Sequence, residues 1–201
     1  MKGVYPNIFR NKKYGNQAKD LFSDAEKILK DLIKSNILDL RGVSKIWNAY
    51  SVDEDVILLN DKGEDIEKLS FLRQQVDKRA KSSNYYCLAD FISNKKEDKD
   101  IIGSFAVTAG KEVDEYAMQY EKKGDDYSSI MIKAIGDRLA EGCAEFLHRE
   151  IRIQNGENEE FNLKSLIKEN YSGIRPAHGY PSLPDHSEKI KIWNMLEVEK
   201  H

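Results

Sequence analysis

Cysteine, proline and histidine are scarce in this chain, and long apolar runs are missing altogether. Two cysteines, Cys87 and Cys143, stand far apart with no Cys-x-x-Cys pair. That excludes a disulfide-stapled scaffold and predicts two buried free thiols in a reducing compartment. The longest aliphatic run, Val56 to Leu59, falls far short of the ~20 apolar residues a helix needs to cross a bilayer. The stretch Met1 to Tyr14 has basic residues but none of the continuous apolar region of a secretory signal. A cytoplasmic protein with no membrane partner is expected. Neither Gly-x-Gly-x-x-Gly nor the P-loop pattern occurs, so glycine-rich cradling of a nucleotide phosphate is disfavoured. The four histidines, His148, His178, His186 and His201, lack His-Glu-x-x-His spacing and a nearby cysteine pair, which argues against a zinc site. Ser182 and Ser187 lie near His178 and His186, but no Gly-x-Ser-x-Gly elbow supports a nucleophile. Nor is charge of one sign in excess. Lys plus Arg number 32 against 35 Asp plus Glu, a net charge of -3 with no basic block, so nucleic acid is not an expected partner.

What is present has the balance of a folded globule. Hydrophobic residues make up 40% and charged residues 33% of the 201, enough for one sizeable core and about the length of one domain. Ala18, Leu21, Phe22, Ala25, Ile28, Leu29, Leu32 and Ile33 recur at helical spacing and predict a first amphipathic helix. Val43 to Val52 and Val56 to Asn60 flank the polar trio Asp53-Glu54-Asp55 and predict a hairpin, ended by Asp61-Lys62-Gly63. Ile66, Leu69, Leu72, Gln75, Val76 and Arg79 suggest a second helix. Tyr85 to Ile92 and Ile101 to Ala109, both rich in aromatic and aliphatic side chains, read as paired antiparallel strands.

After Gly124 comes the longest periodic segment, capped by Asp125-Asp126: Tyr127, Ile130, Met131, Ala134, Ile135, Leu139, Cys143, Phe146 and Leu147 predict a central helix that stops before Asn155-Gly156. A short helix around Leu163 to Lys168 follows. The prolines and glycines of Tyr171 to Pro184 exclude regular helix, and Asp185 with Glu188 resembles a capping box that opens a last helix through Ile190, Trp193 and Leu196. Helices and antiparallel strands mixed without regular alternation give an α+β fold.

The chemically unusual stretch is Ile174-Arg175-Pro176-Ala177-His178-Gly179-Tyr180-Pro181, where fixed-φ residues flank a permissive glycine. Backbone held in one extended path presents N–H and C=O groups able to read the edge of a base such as adenine. Arg175 adds a forked cation for a carboxylate. An ordinary rigid connector carrying a surface arginine is the other reading of the same residues.

Arg175-Pro-Ala-His-Gly-Tyr-Pro resembles the Arg-Pro-Ala-Pro-Gly-Tyr-Pro motif of the activation domain of cobalamin-dependent methionine synthase. Tyr86-Cys-Leu-Ala-Asp-Phe91, Gly103-Ser-Phe-Ala-Val-Thr108, Asp137-Arg-Leu-Ala-Glu141, Glu169-Asn-Tyr-Ser-Gly-Ile174 and Leu196-Glu-Val-Glu-Lys-His201 resemble further blocks of that domain, in the same order and at similar spacing. The likeness runs from about Tyr5 to the end. It implies an α+β fold with a bent antiparallel sheet packed with several helices. The implied function is to bind S-adenosylmethionine and present its methyl group to the cobalt of cobalamin during reductive remethylation of cob(II)alamin. Cobalamin would be carried by a partner domain or chain, and electrons would come from a flavodoxin-like or other donor. The chain would thus be a component of a methyltransferase activity and not a catalyst alone.

Carried over residue by residue, the resemblance gives Arg175 the methionine carboxylate and gives Pro176, Ala177, Gly179 and Tyr180 the adenosine. Glu169 and Glu141 fall at positions close to the ligand, where a carboxylate suits a sulfonium or ammonium. A solvated helix face accounts for Glu141 as well, since it shares a stripe with Lys133, Asp137 and Glu145. The resemblance makes residues 1–201 a single activation-type domain. It is expected to lack the extreme N-terminal part that carries an aspartate for the ligand's amino group and the C-terminal part that carries a tyrosine pair. His178 replaces the family's proline, which frees one φ angle. Two functions of different kinds are expected from this: the activation module of a split synthase, or a truncated homologue acting as an interaction or regulatory protein.

Overall fold

The structure is a computed structural model and describes residues 5–75, 84–98, 100–158 and 160–201. Strands β1 (Arg41–Val52), β2 (Asp55–Leu59), β3 (Asp65–Ser70) and β4 (Asp100–Thr108) form one sheet in the order β3-β2-β1-β4. Helices are α1 (Gly15–Lys34), α2 (Lys111–Glu121), α3 (Asp126–Gln154), α4 (Leu163–Ile167) and α5 (Lys189–Met195). The α+β class expected from the sequence is what is observed. The chain divides into two compact units, Met1–Arg41 with Val107–Ala144, and Gly42–Ala106 with Glu145–His201.

The first unit is helical. Leu32 of α1, Ala109 just before α2, Val113 and Ala117 of α2 and Ile132 of α3 are its buried core, with Ile28, Tyr116, Tyr120, Ile135 and Leu139 packed around them. Helix α3 starts where the sequence places it, because Asp125 caps it: its carboxylate accepts from the Ser128 N–H at 3.0 Å. Helix α2 is an addition to the sequence reading. Val113, Tyr116, Ala117 and Tyr120 do carry the three- and four-residue spacing of a helix.

The second unit is built on the sheet. β1 and β2 form an antiparallel hairpin in register Val52↔Asp55 to Asn48↔Leu59. Its turn residue Asp53 has φ 55°, a left-handed conformation that Asp tolerates better than most side chains. Alternation puts Trp47 and Ala49 of β1, Val56 and Leu58 of β2 and Leu69 of β3 on one buried face. Phe71, Cys87, Ala89, Leu183 and Leu196 complete that core. Burying each of its leucines contributes on the order of 1.5–3 kcal/mol. Leu183 and Leu196 anchor the Pro- and Gly-bearing loop and the end of α5 to the sheet core.

Four sequence expectations are corrected. Ile66 to Ser70 is strand β3, not the start of a second helix: Ile66 and Leu72 are exposed while Leu69 is buried, so the apolar spacing was not a helical face. Residues Val76 and Arg79 of that expected helix lie outside the described residues. Tyr85 to Ile92 is not a strand partner for β4. Asp90 accepts from the Cys87 N–H at 2.9 Å, which winds Leu88–Phe91 into a 3-10 turn, and β4 pairs with β1 instead. Only part of the predicted α3 stripe is buried: Met131 is, together with Ser129, Ile132, Ala144, His148 and Arg152 outside the stripe, whereas Tyr127, Ile130 and Phe146 are exposed. Asp185 and Glu188 do not form a capping box. Glu188 itself sits at the N-cap of α5 without a side-chain capping bond, and Asp185 instead accepts from its neighbours His186 and Ser187. Both cysteines are free; Cys87 is buried and Cys143 only partly so.

Candidate functional site

The loop from Tyr171 to Pro184 is held at both ends. Downstream, Leu183 is buried in the sheet core and its carbonyl accepts from the Gly179 N–H at 2.8 Å. Gly179 has φ +94°, and a Cβ there would lie 2.9 Å from His186 Nε2, so both backbone angle and space require glycine. The Tyr180 N–H donates to the Ala177 carbonyl at 3.2 Å. The stretch is therefore folded on itself at Gly179 and Tyr180, which corrects the expectation of one extended path with all its amides available. Tyr180 leaves its ring 64% exposed. His178, in the place of the family's proline, donates through Nδ1 to the Asp185 carbonyl at 2.9 Å; because a carbonyl only accepts, the ring proton sits on Nδ1.

Upstream, the loop rests on the C-terminal part of α3. Glu145, His148 and Arg152 stand at i, i+3 and i+7, on one helix face. Arg152 Nη1 donates to His148 Nδ1 at 2.8 Å, and its guanidinium lies 3.8 Å above the Tyr171 ring, a cation–π contact. His148 meets the same ring edge-on at 5.3 Å. Burial pushes the Tyr171 phenol above its usual range, and the Glu145 carboxylate beside it adds to that rise. Four residues on, Arg175 donates from Nη2 to Glu145 Oε2 at 2.7 Å. Among the described residues, Arg175 Nε and Glu145 Oε1 are both buried without a hydrogen-bond partner.

Arg175, Pro176, Ala177, Gly179 and Tyr180 thus stand together on one anchored loop. Glu169 lies two residues past α4 at φ 52°, a costly left-handed angle for a glutamate. Its charge contributes to the rise of Tyr171, so it belongs to the same neighbourhood. Glu141 is exposed and paired with Arg138 at 2.7 Å, and it belongs to the other compact unit. The sequence reading missed Glu145, Tyr171, His148 and Arg152. A polar residue at each of three facing helical positions was the available sign. Among the described residues, no group of three or more His, Cys, Asp or Glu is placed to hold a metal ion, and no helix is long and apolar enough to cross a membrane.

A clamped cation beside a carboxylate, a folded backbone strand and an exposed aromatic ring can bind a zwitterionic ligand that carries an aromatic base. A family model described as vitamin B12 dependent methionine synthase, activation domain, matches residues 1–201. The crystal structure of the MetH reactivation domain bound to AdoHcy is similar to this chain, with a TM-score of 0.86 and 42% sequence identity over 100% of this chain and 63% of that one. The chain spans less than two thirds of that relative.

Proposed function

Because the chain belongs to the family of vitamin B12-dependent methionine synthase activation domains, we propose that it binds S-adenosylmethionine and presents the methyl group to a cobalamin held by a partner domain or chain. The observation that carries this reading is the family match over the whole sequence. The likeness to a reactivation domain whose structure holds AdoHcy, the same scaffold without the methyl group, supports the choice of ligand.

The sulfonium is an activated methyl donor and the cobalt a nucleophile, so no general base is required; the chain's contribution is position and charge. Arg175 pairs with the ligand carboxylate. Pro176, Ala177, Gly179 and Tyr180 hold the adenosine. With the Gly179 and Tyr180 N–H groups and the Ala177 and Tyr180 carbonyls already engaged, the Pro176 and Gly179 carbonyls and the Tyr180 ring do so. Glu169 supplies negative charge for the sulfonium or ammonium. Electrons for cob(II)alamin come from a flavodoxin-like or other donor. The module is cytoplasmic, engages neither nucleic acid nor membrane, and forms one activation-type domain over residues 1–201.

Titration calorimetry with S-adenosylmethionine tests this. The unsubstituted chain gives saturable heat, and Arg175→Ala weakens binding by about 10–100-fold, the worth of hydrogen bonds to a charged group. Absence of binding at millimolar ligand would leave the chain an interaction or regulatory homologue.

A further inference from the structure

The ion pair between Arg175 and Glu145 joins a loop residue to a rigid helix. Resting on the ligand reading above, we infer that Glu145 is a positioning residue: it aims the Arg175 guanidinium at the ligand's carboxylate without touching the ligand. Arginine is long and loses much rotamer freedom when it is fixed. Arg175 lies in a stretch with no helix or strand around it, so its own backbone does not direct the side chain. Glu145 does. It sits within the long helix α3, its side chain is only 23% exposed, and it takes a single guanidinium nitrogen, Nη2, at 2.7 Å.

The pairing is deliberately incomplete in its geometry. A carboxylate facing a guanidinium squarely forms two parallel bonds, yet here Arg175 Nε and Glu145 Oε1 both go without a partner. Nη2 is fixed to the helix and Nε is buried, so a second carboxylate meets the guanidinium at its outer end, through Nη1 and the second Nη2–H. Beside Glu145, the Tyr171 ring is pinned between the Arg152 guanidinium and the edge of His148, and its phenol feels the Glu145 charge. The helix face at 145, 148 and 152 is thus a platform that sets the direction of one cation.

Binding of two ligands separates positioning from mere stability: S-adenosylmethionine, which has the carboxylate, and 5′-methylthioadenosine, which lacks the whole amino-acid end. Glu145→Ala weakens S-adenosylmethionine about tenfold, the cost of one misplaced charge-assisted bond, and leaves methylthioadenosine within about twofold, since that ligand has no group for Arg175 to meet. Glu145→Gln, which keeps an acceptor, falls between. In an Arg175→Ala background the Glu145 substitution has no further effect, as expected of residues acting through one another. In the ligand-free protein, the Arg175 Nε–H resonance is sharp and broadens in Glu145→Ala. Equal losses for both ligands, unchanged or tighter S-adenosylmethionine binding, or an Nε–H signal indifferent to the substitution would overturn the positioning role. Failure of the unsubstituted chain to bind either compound would instead overturn the ligand reading on which that role rests.

Discussion

Two arginines of the sheet unit show what decides between a structural cation and a binding one. Arg73 is nearly saturated: it donates to both oxygens of Asp90 at 2.7 and 2.8 Å, to Glu54 at 3.0 Å and to the Tyr85 carbonyl at 2.8 Å. Four of its five N–H donors are spent within the fold, and the residue fastens the 3-10 turn to the β1–β2 hairpin. Arg175 makes one bond and keeps the rest of its donors. The bond to Arg73 holds the Asp90 carboxyl below its ordinary value of 3.8. A carboxyl whose folded pKa lies below its unfolded one stabilises the fold above the unfolded value, and that contribution fades as pH falls through the folded one. Thermal unfolding followed from pH 7 downward should therefore show a loss of Tm below about pH 4 in which Asp90 takes part. In Asp90→Asn the midpoint is lower at pH 7 and its acid decline is shallower, and an unaltered decline would contradict the assignment.

At the scale of elements, one helix offers a paired test of close packing. Gly136 and Gly142 both lie in α3. A Cβ at Gly136 would meet Val113 Cγ1 of α2 at 2.9 Å, whereas one at Gly142 would meet nothing within 4 Å. Gly136→Ala should destabilise by about 1–3 kcal/mol, because a branched, stiff valine cannot move aside cheaply, and Gly142→Ala should stabilise by about 0.5–1 kcal/mol through helix propensity. Chemical denaturation reads both, and equal effects of one sign would refute the packing.

The same elements show what could be read beforehand. The hairpin, α1, the start and stop of α3 and the irregular loop were legible because each depends on nearby residues: Asp53 in a turn, Asp125 at a cap, prolines in the loop. Strand β3 was not, since its identity comes from pairing with β2 across the bulge at Leu58/Leu59 and not from its own apolar spacing. The loop of the candidate site was visible through its glycine and prolines. Its platform was hidden, because Glu145 and Arg175 are 30 residues apart, and buried polar residues on a helix look like a solvated face until their partners are known.

For the molecule as a whole, the family match spans residues 1–201 and so takes in both compact units. The most direct test is a crystal structure of the full chain with S-adenosylhomocysteine. The account predicts the ligand carboxylate on Arg175, with Glu145 still bonded to Nη2, and the adenosine against Pro176 to Tyr180. A ligand bound elsewhere, or an Arg175 that ignores the carboxylate, would contradict it.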